Sequence, residues 1–308
     1  MAQARSRPRP DEVGLQPDGR DCASDFGGPT CLAKRCADRA SGFVIAERQL
    51  GKEENVSEGA KREDAAGDLT IVIPVYNEGA GFARLWRELD AHLKFPFRAL
   101  VVYDFDEDNT VPAVKAVIER GERRISLVKN SIRRGVVGAL LTGFGKVERG
   151  PLLVVMADLS DDLAQVRRMV ELYHLGNHVV VGSRYMKGGR IVNGPVLKQG
   201  LSRLAGVSLS WLRRIPTHDA TNAFKIYDSI MLKRLTLRSQ HGFELNLEIT
   251  VKAFLAGYRI TEIPSVWRDR TQGESKFKLW TWLPHYLHWY VYAFRPRRRL
   301  MLERHGQE

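Results

Sequence analysis

Between Leu69 and Gly182 the chain alternates short, β-branched apolar runs with helical segments, and no other feature restricts the fold as strongly. Leu69-Thr-Ile-Val-Ile73, closed by Pro74, reads as a buried strand. The pattern then predicts a helix over 80–93, a strand over 99–103, a helix over 111–119 and a strand over 125–128. A helix over 136–147, a strand over 152–156, a helix over 163–173 and a strand over 178–182 follow. Apolar strands that are each followed by a helix need right-handed crossovers, so the expected class is α/β, with a mostly parallel sheet covered by helices on both faces.

Sheets of this kind bind ligands beyond the C-terminal ends of their strands. Those ends carry Pro74-Val-Tyr-Asn-Glu78, Asp104-Phe-Asp-Glu-Asp108, Ala157-Asp-Leu-Ser-Asp-Asp162 and Gly182-Ser-Arg-Tyr185. Acidic, basic and aromatic groups therefore converge on one edge. After Gly188-Gly189 the pattern changes to a helix over 196–212, a mixed segment, a helix over 246–255 and strands over 258–263 and 266–269. This second part is expected to be an appended lobe closing over the sheet edge.

Residues 1–66 are rich in Gly, Arg, Asp, Glu and Pro and are expected to form a mostly disordered polar tail. Cys22, Cys31 and Cys36 all lie there; their odd number and spacing fit free thiols in a reducing compartment better than a zinc site. No apolar run follows the Arg- and Pro-bearing N-terminus, so no secretory signal is expected and the core, 67–276, is expected in the cytosol. At the other end, 277–308 begins with a segment holding eight aromatics between Phe277 and Phe294 and continues into Arg295-Pro-Arg-Arg-Arg299. It is short for a bilayer span and contains Lys278, Pro284, His285 and His288. It is expected to form an amphipathic aromatic helix lying on the cytoplasmic face of a membrane, its Arg cluster drawn to anionic lipid. The alternative is a helix packed on the catalytic core.

The formal net charge of +12, from 48 Lys plus Arg against 36 Asp plus Glu, favours polyanionic partners. Nucleic acid is not expected, because the cations are interspersed with acids and no recognition motif occurs. A dinucleotide dehydrogenase is disfavoured too, since no Gly-x-Gly-x-x-Gly follows the first strand. Asp104, Asp106 and Asp108 follow one strand, and Asp158, Asp161 and Asp162 another, so two loops could hold Mg²⁺ or Mn²⁺ against a diphosphate. Asp161 or Asp162 could instead cap the helix beginning near Leu163, and Asp108 the one near Val111; that reading is preferred for Asp161 and Asp162, and a functional one for Asp104 and Asp158. Arg184, Lys198, Lys225, Arg270 and Lys276 are spaced as a surface that could clamp phosphates.

Taken in order, Pro74-Val-Tyr-Asn-Glu78, Asp158-Leu159, Gly182-Ser-Arg-Tyr185 with Gly188-Gly189, Asp219-Ala-Thr-Asn-Ala-Phe-Lys225, Gly242-Phe243 with Glu248, and Asp269-Arg-Thr-Gln-Gly-Glu-Ser-Lys276 resemble the dolichyl-phosphate mannosyltransferase-like, polyprenyl-phosphate branch of the family 2 glycosyltransferases. The resemblance runs from about Asp68 to Lys276. It implies a GT-A fold and an inverting transfer of a hexose from a nucleotide sugar, GDP-mannose or UDP-glucose, to a polyprenyl or dolichyl phosphate. It implies that Pro74, Tyr76, Glu78 and Asp104, with Asp106 beside them, hold the nucleotide. Asp158 would belong to the element that binds Mg²⁺ or Mn²⁺, and Arg184, Lys198, Arg270 and Lys276 would face donor or acceptor phosphates, with Asp158, Arg184 and Arg270 carrying the catalysis. A membrane-embedded partner subunit is a further candidate partner.

The chain departs from the family pattern in three places. Met156-Ala-Asp158 stands where Asp-Ala-Asp is usual, which leaves Ser160 or Asp106 to supply an oxygen ligand. Tyr103-Asp-Phe-Asp-Glu-Asp-Asn-Thr110 replaces the usual Asp-Asp-Gly-Ser-x-Asp-Gly-Thr, and Lys198 stands where Arg is more usual. Two further readings stand beside this one: the same fold transferring the sugar to a saccharide or another lipid, against which Arg270 and Lys276 argue, and a non-catalytic membrane-associated scaffold that kept the fold after losing Asp at 156.

Overall fold

β1 (Leu69–Pro74) is buried along its whole length. Its side chains go alternately to two apolar clusters, Val72 into one and Ile71 and Ile73 into the other. β2 (Phe97–Tyr103) and β4 (Pro151–Val154) divide in the same way, with Leu100, Val102, Leu152 and Val154 on the Val72 side and Ala99, Val101 and Leu153 opposite. A strand apolar on both faces must be covered on both faces, and the helices do this. α1 (Gly81–His92), α2 (Thr110–Glu119) and α4 (Val166–His174) cover one side, and α3 (Val136–Gly145) covers the other. The computed structural model describes residues 68–79, 81–194, 196–269 and 279–296, and only the backbone of 196–198 and 279–282. The expected tail 1–66 with its three cysteines, Arg270, Lys276 and the Arg297–Arg299 cluster lie outside the described residues.

The main sheet has seven strands in the order β3-β2-β1-β4-β7-β5-β8, where β3 is Ile125–Lys129, β5 Val179–Ser183, β7 Lys225–Asp228 and β8 Ile260–Pro264. Only β7 runs antiparallel, between β4 and β5. The strand order reverses at β1 and β4, so the crevice outside the ends of these two strands is the place where a sheet of this topology takes its ligand. A second, two-stranded sheet pairs β6 (Arg190–Val192) with β9 (Val266–Arg268).

The expected appended lobe is therefore not separate. β7 fills the middle of the main sheet and β8 closes its edge. α5 (Val196–Arg213), α6 (Ser229–Arg234), α7 (Glu244–Leu255) and α8 (Leu279–Tyr292) lie on the Val72 side. All twelve residues of α7 are buried. α8 contains Pro284, and its Trp289, with the following Ala293, joins the same buried cluster as Val72. Lys252 on α7 lies over the Trp289 ring at 4.8 Å. Among the described residues no helix is long and apolar enough to cross a membrane.

Candidate active site

The crevice is built from loops that are bonded to one another across the strand ends. After β1, Asn77 takes a left-handed φ of 55° and its N–H donates to both carboxylate oxygens of Asp108, at 3.1 and 3.0 Å. The neighbouring Glu78 N–H donates to Thr110 Oγ at 2.9 Å, and Thr110 N–H returns to Asp108 Oδ1 at 2.8 Å. Asp108 is fully buried. It thus supports the start of α2, as expected, and also fastens that turn to the β1 loop. At the rim, Tyr76 is 49% exposed and meets the Phe105 ring edge-on, with centroids 5.6 Å apart.

The two remaining acids of the β2 loop have separate settings. Asp104 accepts Asn130 Nδ2–H and Gly135 N–H, both at 2.7 Å, and so organises the loop between β3 and α3. That loop folds tightly onto its helix, since a Cβ on Gly138 would collide with the Arg133 carbonyl. Asp106 is exposed and forms an ion pair with Lys129 at 2.5 Å; the hydrogen bond from that ammonium lowers its pKa.

The acidic loop after β4 is held from both sides. Leu159 takes a left-handed φ of 60°, and Asp158 Oδ1 accepts the Ser160 N–H at 3.1 Å. Asp161 turns back to accept Met156 N–H at 2.8 Å. Burial, opposed by that N–H and reinforced by the charge of Asp158, pushes the Asp161 carboxyl up to about 7. Asp162 accepts Val266 N–H from β9 at 3.1 Å, and Arg268 N–H donates to the Ser160 carbonyl at 3.0 Å. The capping expected of Asp161 or Asp162 is not made by their side chains: Asp162 precedes a 3₁₀ turn over Leu163–Gln165 without a side-chain cap. Both carboxylates are drawn to nearer backbone donors that no secondary-structure ladder satisfies.

The basic residues also separate. Arg184 presents a bidentate fork to the buried Asp219, with Nε to Oδ2 at 2.7 Å and Nη2 to Oδ1 at 2.8 Å, and its backbone N–H donates to the same carboxylate. Its Nη2 also reaches Ser202 Oγ on α5 at 3.3 Å, and Tyr185 Oη donates to the Gln199 carbonyl on that helix at 3.4 Å. Lys225 belongs to no phosphate-facing surface. It is fully buried, donating to the carbonyls of Ala220 and Asn246 and to Thr250 Oγ, and burial pulls its pKa down to about 7. Lys198 lies in the first turn of α5, its side chain outside the description; Arg270 and Lys276 follow β9 beyond the described residues.

Three roles were not read from the sequence: Asp219 as the partner of Arg184, and Asn130 and Gly135 as the partners of Asp104. Asp219 lies in a quoted block, but its pairing spans 35 positions and leaves no local signal.

A divalent cation can be weighed against these donors. Among the described residues no three His, Cys, Asp or Glu side chains are grouped to hold a metal. Met156 brings a thioether, a poor ligand for Mg²⁺, and that side chain packs against the apolar cluster beneath. What remains at the end of β4 is the Asp158 carboxylate. A single carboxylate suits a cation that also binds substrate phosphates, and it does not make an all-protein cage.

The model of Glycosyl transferase family 2 matches residues 70–236, more than half of the chain. The chain belongs to glycosyltransferase family 2. Among its family 2 relatives, the dolichol-phosphate mannosyltransferase of Pyrococcus furiosus is 25% identical over 215 residues, which cover 68% of this chain and 59% of that protein. The polyprenol monophosphomannose synthase of Mycolicibacterium smegmatis is 25% identical over 231 residues, 70% of this chain and 87% of that one. In fold, the glucosyl-3-phosphoglycerate synthase of Mycobacterium tuberculosis, solved with Mn²⁺, UDP-glucose and phosphoglyceric acid, superposes with a TM-score of 0.55 at 13% identity, over 75% of this chain and 81% of that one. The GT-A architecture expected for family 2 is thus present.

Proposed function

We propose that this glycosyltransferase moves a hexose from a nucleotide sugar, GDP-mannose or UDP-glucose, to a polyprenyl or dolichyl phosphate while lying on the cytoplasmic face of a membrane. The observation that carries the acceptor class is the course of α5. Its first turns bond to the Arg184–Tyr185 loop, and farther along it turns Leu204, Val207 and Trp211 to solvent, 67%, 37% and 81% exposed. Positions i, i+3 and i+7 lie on one face of a helix, so an apolar track leads away from a cationic loop. An amphiphile with a phosphate head and a hydrocarbon tail matches that arrangement; a free saccharide would leave the track uncovered. Both curated relatives named above carry polyprenol or dolichol phosphate in their names, which agrees with this reading.

In this mechanism Tyr76 and Phe105 offer ring faces at the mouth, and Asp104, beside them, faces the nucleotide. Pro74 and Glu78 fix the course of the β1 loop, with Asp106 at its outer rim. The acceptor phosphate is largely dianionic at neutral pH, so its oxygen needs no general base. That oxygen forms the new bond to the anomeric carbon as the bond to the donor diphosphate breaks, and the nucleoside diphosphate leaves with the electron pair. Arg184, oriented by Asp219, holds positive charge beside the reacting groups, and Lys198, Arg270 and Lys276 extend it along the phosphates. Mg²⁺ or Mn²⁺ bound at Asp158, with Ser160 adjacent, would offset charge on the leaving diphosphate. Single displacement inverts the anomeric configuration.

The test is transfer by the purified chain from a panel of nucleotide sugars to a short polyprenyl phosphate in vesicles, read by mass spectrometry and by the anomeric coupling constant. A β-linked hexosyl lipid phosphate from an α-linked donor is expected. Transfer only to saccharide hydroxyls, retention of configuration, or no turnover with any donor would overturn the proposal.

A further inference from the structure

We propose that Lys225 is a positioning residue for Arg184: its buried amine holds the turn that presents Asp219, and so keeps the Arg184 guanidinium aimed at the reacting phosphates. The inference rests on the functional reading above and extends it to a residue one step behind the reacting groups. Asp219 is fully buried and accepts the Arg184 backbone N–H together with Nε and Nη2 of its guanidinium. It opens a turn over 219–222 that is fastened on several sides. Asn222 Nδ2 donates to the Gly182 carbonyl at 2.6 Å, and Thr221 Oγ lies 2.6 Å from Ser202 Oγ on α5. The Ala220 carbonyl, next to Asp219 in the chain, accepts Lys225 Nζ at 2.7 Å. Thr250 Oγ is 3.4 Å from that carbonyl and 2.7 Å from the Asn246 carbonyl, so its single proton goes to Asn246 and the Ala220 carbonyl depends on the lysine.

For stability alone an amine is a poor choice at this place. Lys225 is fully buried between β7 and α7, and its other bonded partners are the Asn246 carbonyl at 3.3 Å and Thr250 Oγ at 2.8 Å, with no carboxylate among them. Burial, opposed by the charge of Asp219 and reinforced by that of Arg184, pulls its pKa down to about 7. A buried charge without a bonded counter-charge destabilises, and an apolar side chain of similar volume in its place is often neutral or stabilising. Groups kept against such a cost concentrate at functional sites. The charged groups that face this one are Asp219 and Arg184, the pair on which the transfer depends.

The experiment compares the full chain with Lys225→Met at neutral pH, by melting temperature, by calorimetry of UDP and GDP, and in the transfer assay above. Lys225→Met is expected to melt no lower than the parent and to bind the accepted nucleotide within about twofold of it, while kcat falls at least about tenfold. In an Arg184→Gln background the same substitution should lower kcat by less than about twofold, because no guanidinium is left to aim. Should the methionine variant fail to fold, Lys225→Leu repeats the comparison with another apolar shape; if neither folds, the lysine is a structural member and the inference falls. A variant that turns over like the parent, or a loss of equal size with and without Arg184, overturns the inference and leaves the transferase reading standing. No turnover by the parent with any donor sinks that reading and the inference together.

Discussion

At the residue scale the crevice depends on buried polar groups that hold loops rather than touch ligands. Asp108 accepts the N–H groups of Asn77 and Thr110 in a fully buried setting, so Asp108→Ala leaves those donors unmatched. Its cost is expected to be about 2–4 kcal/mol in urea denaturation, with Asp108→Asn costing less. Lys225 gives a pH-dependent prediction. Its pKa falls, through burial first, from 10.5 to about 7 in the fold, whereas the unfolded chain keeps the ordinary value. Between these values the unfolded state binds more protons, so this group's contribution makes the fold more stable as pH rises from about 7 toward 10.5. Its full span is on the order of 5 kcal/mol, and the penalty is complete below pH 7. Lys225→Met removes this dependence, so the gap in melting temperature between parent and variant should move in the parent's favour from pH 7 to pH 9.5. A gap that stays constant would show that Lys225 is charged in the fold. The support that Asp108 gives the start of α2 was legible in the sequence, but the role of Lys225 was not: Lys225 has the spacing of a phosphate clamp, and only its burial between β7 and α7 reverses that reading.

At the element scale the sequence was most legible where a strand was long and apolar and a helix followed. β1 to β5 and the helices between them occur where expected, because burial on both faces imposes a continuous apolar run that a single sequence displays. β6 has three residues and β7 four, with a lysine opening the latter, and neither produces a periodic signal. Missing β7 also led to the expectation of an appended lobe, since that strand ties the second half of the chain into the sheet. The outer face of α5 is a different case, with apolar residues that no other described element covers. Trp211 is 81% exposed, and so to a lesser degree are Leu287 and Val291 on the neighbouring α8 and Phe294 just after it. The helices meet where Tyr290 Oη donates to Ser208 Oγ at 2.9 Å and Arg213 Nε to the Ala293 carbonyl at 2.8 Å. Trp211→Glu combined with Val291→Glu should therefore shift the melting temperature little, as substitutions at exposed positions do. The pair should lower sedimentation with vesicles at least about tenfold, at roughly 1.4 kcal/mol for each tenfold. Unchanged vesicle binding would show that this face docks elsewhere.

At the scale of the whole molecule, charge and apolar surface should act together, and salt separates them. The chain carries a formal net charge of +12. Arg203 and Arg214 on and after α5, and Arg295 after α8, are exposed beside the apolar stripes. Each cation near an anionic bilayer is worth about 1 kcal/mol at low salt, so three of them would strengthen binding by about 100-fold or more. Screening shortens this reach from about 10 Å at 0.1 M salt to about 3 Å at 1 M, whereas burial of Leu, Val, Trp and Phe side chains is not weakened by salt. Vesicles with a fifth of anionic lipid should therefore bind the chain at least about tenfold better than neutral ones at 0.1 M NaCl, by co-sedimentation. At 1 M NaCl the two should converge on a residual binding that the Trp211→Glu and Val291→Glu pair abolishes. Binding that follows lipid charge at both salt concentrations would leave the apolar stripes no part in docking, and the α5 track would then lose its claim to an acceptor embedded in a bilayer.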